Sequence, residues 1–173
     1  MNIVEAAHLL DRTEEFQFIL IGDGPERATA MQRAETLGIS NLHFVDWLPQ
    51  PALSQLISDA DICLGAFGDT PQSIMTVQNK VYEGLAMQRA VITGDSPAVR
   101  ANLHNGEEIL LCDRQNPVAL AQAIRILAID HDLRARLAVH GARAFEQRFS
   151  LSRIGARFRQ ALDKALRQLQ HGR

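Results

Sequence analysis

Short apolar runs recur along this chain and alternate with longer amphipathic stretches, and this rhythm restricts the fold more than any other feature. The runs are FQFILIG (16–22), NLHFV (41–45), DICLGAF (61–67), AVITG (90–94) and EEILLC (107–112). They are short, rich in β-branched and aromatic residues, and continuous rather than alternating, as expected of strands covered on both faces. Between them lie helical patterns: 26–37 with Ala30, Met31, Ala34 and Leu37, 51–59 with Leu53, Leu56 and Ile57, and 77–87 with Val77, Val81, Leu85 and Ala86. Strands alternating with helices predict an α/β fold, a parallel sheet wound on both faces by helices. After Asn116-Pro117, a helix start with proline at the first helical position, the chain reads as helices to about Gln170, with breaks near Asp130 and at Phe149-Ser150. The last segment places Leu151, Ile154, Phe158, Leu162, Leu166 and Leu169 on one stripe, expected to pack on the sheet. With 173 residues and no linker, the pattern implies a single domain over 1–173.

Charge and hydropathy exclude several classes of function. The chain has 18 Lys+Arg against 20 Asp+Glu, so the basic excess of a nucleic-acid binder is missing. No apolar run approaches the roughly 20 residues that span a bilayer. The start, MNIVEAAHLLDRTEE, lacks a basic leader and a small-residue cleavage site, which gives a cytoplasmic expectation. Cys63 and Cys112 sit inside apolar runs and read as buried, reduced thiols. The histidines have no metal-ligand spacing, so no metal is expected.

In an open parallel sheet, ligands bind where the loops at the carboxyl ends of the strands converge. Those loops are 22–25, 45–49, 66–71 and 93–97. Gly22-x-Gly24-Pro25 follows a strand and opens a helix, where backbone N–H groups and the helix dipole favour an anion. The third glycine of a dinucleotide fingerprint is replaced by Arg27, so a plain strand-to-helix turn remains an equal reading. Residues 65–99 are more informative. A loop containing Gly65, Gly68 and Pro71 feeds a helix carrying Asn79, Lys80 and Glu83. Thr76, Lys80 and Glu83 at i, i+4 and i+7 are expected on one helix face. Lys80 offers a point charge for a phosphate, and Glu83 can accept both hydroxyls of a ribose. The alternative is an ordinary Lys80–Glu83 surface pair, worth about 0.2–0.5 kcal/mol.

The run NKVYEGLAMQRAVITGD (79–95) resembles the donor-binding, C-terminal domain of GT-B glycosyltransferases of group 1 (GT4). FQFILIGDGPE, NLHFVDWLP and LSQLISDADICLGAF precede it in the family's order, and EEILLCDRQNPVALAQAI follows it. The resemblance covers nearly the whole chain. It implies a Rossmann-like half of a GT-B fold and a retaining transfer of a hexosyl group from a UDP- or GDP-linked sugar, with no separate cofactor. It places Glu83 on the ribose and Lys80 and the backbone leading into its helix, including Asn79 and Gly68, beside the diphosphate. Lys80 and Glu83 are then the catalytic pair. Val45 and Trp47 fall on the loop that meets the base, Trp47 being otherwise a core or interface aromatic. Gly22 and Gly24 line the cleft floor.

Two departures matter. The family's first glutamate, which holds the transferred sugar, falls on Thr76. The family's opening strand, with its Gly-Arg turn and Lys-Gly, has no counterpart, nor does the acceptor-binding domain, so unpaired strand edges are expected. The resemblance thus implies further partners: the absent acceptor domain or a partner subunit, a membrane-associated acceptor reached through that domain, or a second copy of this chain. Because the family's last helix crosses to the other domain, it also gives the alternative that part of the stripe from Leu151 to Leu169 is an exposed docking face. A non-catalytic nucleotide-binding or interaction module is the second reading. A flavodoxin- or receiver-like domain using Asp23, Asp46, Asp69 and Asp95 on the rim is the third.

Overall fold

In the computed structural model, which describes residues 1–11 and 16–171, all five apolar runs form parallel strands. They are β1 (Phe18–Ile21), β2 (Leu42–Val45), β3 (Ile62–Leu64), β4 (Ala90–Gly94) and β5 (Leu110–Cys112). The helices are α1 (Asn2–Leu10), α2 (Arg27–Leu37), α3 (Gln50–Asp59), α4 (Pro71–Met75), α5 (Asn79–Ala86), α6 (Pro97–Arg100), α7 (Pro117–Ile129), α8 (His131–Ala144) and α9 (Leu151–His171), with a π-turn at Phe145–Phe149 before α9. Boundaries follow local chemistry. The Asn116 side chain accepts from the Ala119 N–H at 3.0 Å to start α7, and Asp130 accepts from Leu133 at 2.8 Å to start α8. The short helices α4 and α6, absent from the sequence reading, open with Thr70 and Ser96 caps followed by proline.

The strands form two hydrogen-bonded sets, β1–β2 and β3–β4–β5. Among the described residues β1 pairs only with β2 and β3 only with β4, so each keeps one unpaired edge. β4 is central and wholly buried. Its alternate residues feed opposite cores, because successive side chains of a strand point to opposite faces. Ala90 and Ile92 join Val4, Leu10, Leu120 and Leu127 beneath α1 and α7. Val91 joins Val81, Leu85, Leu103 and Ile109 beneath α5. Cys63 is half-buried, Cys112 is buried, and burial pushes both thiols up to about 11, so they are protonated at neutral pH.

Two packing expectations are corrected. Cover on both faces holds for β4 but not for β1, where Ile19 is 49% exposed; α3 contributes only half-buried Leu53, Leu56 and Ile57. The apolar stripe of α9 does not pack on the sheet. Leu151, Ile154, Phe158, Leu162, Leu166 and Leu169 are all exposed, Phe158 by 70%. The reason lies in the π-turn, after which Ser150 breaks the helix in an extended conformation and α9 leaves the domain instead of folding back. No helix among the described residues is long and apolar enough to cross a membrane.

Candidate functional site

The carboxyl ends of the strands carry the predicted site residues in two groups. At the ends of β1 and β2, the Gly22 N–H donates to the Val45 carbonyl at 3.0 Å. Gly22 has φ of 114°, a region that side-chain-bearing residues rarely enter, so glycine is required for this turn. The Gly24 N–H donates to Asp23 Oδ1 at 2.7 Å, and Arg27 Nη1 donates to Asp46 Oδ1 at 2.6 Å, tying the first loop to the second. Gly22 and Val45 are thereby paired, and Gly24 and Trp47 lie in the two loops tied by Arg27 and Asp46. Trp47 is 75% exposed, which excludes the core reading and leaves the base-loop and interface readings: the loop after β2 carries it outward rather than under a helix.

The second group follows β3. The Gly94 N–H donates to the Ala66 carbonyl, and the Ala66 N–H donates to Thr93 Oγ1, so the ends of β3 and β4 are fastened together. Gly68 lies exposed in the loop beyond, its carbonyl accepting from Ser73 Oγ at 2.7 Å. The chain then makes α4, breaks at Thr76 and starts α5 at Asn79.

This break corrects the expected shared face of Thr76, Lys80 and Glu83. Such a face requires one continuous helix, but Thr76 (φ −128°, ψ 153°) and Gln78 (φ −72°, ψ 150°) are both extended. Thr76 instead closes α4, its hydroxyl donating to the Gln72 carbonyl at 2.7 Å and accepting from Gln78 Nε2 at 3.2 Å. Asn79 and Lys80 occupy the first two positions of α5, exposed, and no side chain caps that N-terminus. The first-turn N–H groups and the dipole of α5 therefore remain open to an anion. Glu83 is half-buried one turn on. The Lys80–Glu83 surface pair is not formed: no ion pair links them among the described residues. Val81 and Leu85 on the same helix are fully buried and anchor it.

One residue of the rim was not legible beforehand. Arg114, just beyond β5, lies among the carbonyls of Gly68, Ser73, Gly94 and Asp95 and donates to all four. Burial holds its pKa below the usual guanidinium value, opposed by the charge of Asp95. An arginine in a loop reads as a solvated charge from sequence; its only signal was its place on the rim.

The family described as "Glycosyl transferases group 1" matches residues 2–130. The chain belongs to this family. Among curated proteins, it is 27% identical over 148 residues to the lipopolysaccharide core biosynthesis glycosyltransferase LpsD of Rhizobium meliloti, covering 85% of this chain and 41% of that one. The chain thus spans about two fifths of that relative. Among solved structures it resembles the C-terminal domain of a group 1 glycosyltransferase, LpcC, from Francisella tularensis, with TM-score 0.72, 16% identity and coverage of 87% of this chain and 78% of that one. It also resembles Anabaena Alr3699/HepE in complex with UDP-glucose, with TM-score 0.78, 18% identity and coverage of 94% and 44%. The fold is accordingly one Rossmann-like half of a GT-B glycosyltransferase, similar to the C-terminal half of group 1 members.

Proposed function

We propose that this glycosyltransferase domain binds a nucleotide-diphosphate sugar, UDP- or GDP-linked, and serves retaining transfer of its hexosyl group in the GT4 manner. The observation that carries the reading is the start of α5: an uncapped helix N-terminus with Lys80 in its first turn and an unpaired carboxylate, Glu83, one turn later. When the bond from the anomeric carbon to the diphosphate breaks, negative charge grows on the leaving phosphate oxygen. Lys80 and the first-turn N–H groups would stabilise that charge. Glu83 would accept hydroxyls of the ribose, while Val45 and Trp47 would meet the base and Gly22 and Gly24 let backbone approach the donor. Charge on the phosphates is then met by protein groups, without a metal or cofactor.

This reading includes a cytoplasmic setting and an acceptor-binding half outside these residues, through which a membrane-associated acceptor would be reached. The unpaired edges of β1 and β3 and the exposed stripe of α9 are where that half, a partner subunit or a second copy would join. Calorimetric titration with UDP, GDP and their sugars tests the site. Nucleotide binding lost in Glu83→Ala, with the melting temperature kept, is expected. Failure of every nucleotide to bind would instead favour a non-catalytic interaction module. Thr76 favours that second reading, since it supplies no carboxylate for the sugar and its hydroxyl is spent on Gln72.

A further inference from the structure

Arg114 extends from the loop after β5 into the space between the ends of β3 and β4. Its Nε donates to the Asp95 carbonyl at 2.7 Å, and its Nη2 donates to the carbonyls of Ser73 at 2.9 Å and Gly94 at 3.3 Å. Nη1 donates to the Gly68 carbonyl. Four acceptors in two chain segments, 68–73 and 94–95, converge on one planar group, a task suited to the fixed fork of a guanidinium and beyond the single nitrogen of lysine. Space for the side chain is reserved by Gly94, where a Cβ would stand 2.8 Å from both Arg114 Cγ and the Ala66 carbonyl oxygen. The Asp95 carboxylate, whose charge acts on Arg114, is itself engaged by Arg100 through two contacts of 2.6 Å.

The next residue adds a second fastening. Gln115 has φ of 50°, a conformation uncommon outside glycine. Its N–H donates to the Phe67 carbonyl at 3.1 Å. That same carbonyl accepts from the Asn2 side chain at 3.0 Å, at the start of α1. On the other side, the Ser73 carbonyl held by Arg114 also accepts from Gln78 Nε2 at 3.1 Å, and Gln78 immediately precedes α5. Arg114 and Gln115 therefore connect the starts of two helices to the end of β5 through residues 67–78.

We propose that Arg114 is a positioning residue of the donor site, holding the Gly68–Gln78 segment so that the N-terminus of α5, with Lys80 and Glu83, faces the diphosphate in one fixed place. This rests on the donor-site reading above. Arg114 acts through backbone carbonyls, and its effect falls on ligand affinity and on local order in 68–78 more than on the two cores.

The test uses the full chain as wild type, Arg114→Ala and Arg114→Lys. UDP and GDP are titrated calorimetrically, thermal unfolding is recorded, and deuterium uptake is followed by peptide. Both variants are expected to bind nucleotide at least about tenfold more weakly, a loss of about 1.4 kcal/mol. Uptake should rise in 68–78 while the β4 peptide (90–94) stays protected. Lysine keeps the charge but not the fork, so its failure to rescue separates positioning from simple charge. Should Arg114→Ala not fold, Arg114→Lys carries the test alone. Wild-type affinity in a folded variant, or unchanged uptake in 68–78, overturns the proposal. If wild type binds neither nucleotide, the donor-site reading fails on its own account, and uptake in 68–78 alone decides whether Arg114 orders the segment.

Discussion

Gly141→Ala sets helix propensity against packing, and the structure decides which wins. Gly141 lies inside α8, where alanine is favoured over glycine by about 1 kcal/mol, so a local reading predicts stabilisation. An added Cβ, however, would stand 2.6 Å from Leu85 Cδ2 and 2.8 Å from the carbonyl oxygen of Glu108. Leu85 is fully buried on α5 and has little room to swing. The Glu108 backbone is held in a turn by its own N–H, which donates to the His104 carbonyl at 2.9 Å. Neither neighbour yields without moving α8 away from α5, and overpacking of this kind costs about 1–3 kcal/mol, with the upper half expected when one contact is backbone. After the propensity gain, the net loss is about 1–2 kcal/mol, or a melting temperature lower by roughly 2–8 °C for a chain of this size. Thermal unfolding followed by far-ultraviolet dichroism reads this directly. Gly155→Ala is the matched control: α9 is helical there and nothing stands within 4 Å of an added Cβ, so helicity rises and the core transition does not fall. A melting temperature for Gly141→Ala equal to or above wild type would refute the packing argument.

Glu108 should shape the acid limb of stability. Burial alone would raise its carboxyl, but the Arg148 guanidinium at 2.6 Å, the His104 N–H at 3.0 Å and the charge of His104 hold it below the usual 4.5. A carboxylate depressed in the folded state contributes stability that is complete above the unfolded value and is lost as pH falls through the folded one. Glu108→Gln is thus expected to lose about 1–2 kcal/mol at pH 7 and to show a shallower fall below pH 4.5 in urea titrations; an unchanged acid limb would remove the pair from the account. On α9, Phe158→Ser should leave the core transition within about 0.5 kcal/mol of wild type, because the ring is exposed. A larger fall in unfolding experiments would mean that the stripe is covered in solution.

Much of the fold was readable because its causes are local. Strand length and continuous apolar character located all five strands, and Asn116, Pro117 and Asp130 marked the helix starts with their own side chains. The parts that were misread depend on where the chain bends. The extended backbone at Thr76 and Gln78 took Thr76 off the face of Lys80 and Glu83, although i, i+4, i+7 spacing is helical on paper. Trp47 and the α9 stripe are apolar enough for a core, but the loop after β2 and the break at Ser150 carry them outward.

Residue order alone therefore determined the five strands and their parallel succession, the helices α2, α3, α5 and those from α7 onward, and the family motif around Asn79, Lys80 and Glu83. Tertiary structure alone decided that Lys80 and Glu83 form no ion pair among the described residues, that the strands divide into two sets, and that Arg114 gathers four carbonyls at the rim. The physical reason is the range of the forces involved. Periodicity and capping act within one or two turns of chain, whereas a guanidinium at position 114 meets the carbonyl of residue 68 only after β3, β4 and β5 have been laid side by side.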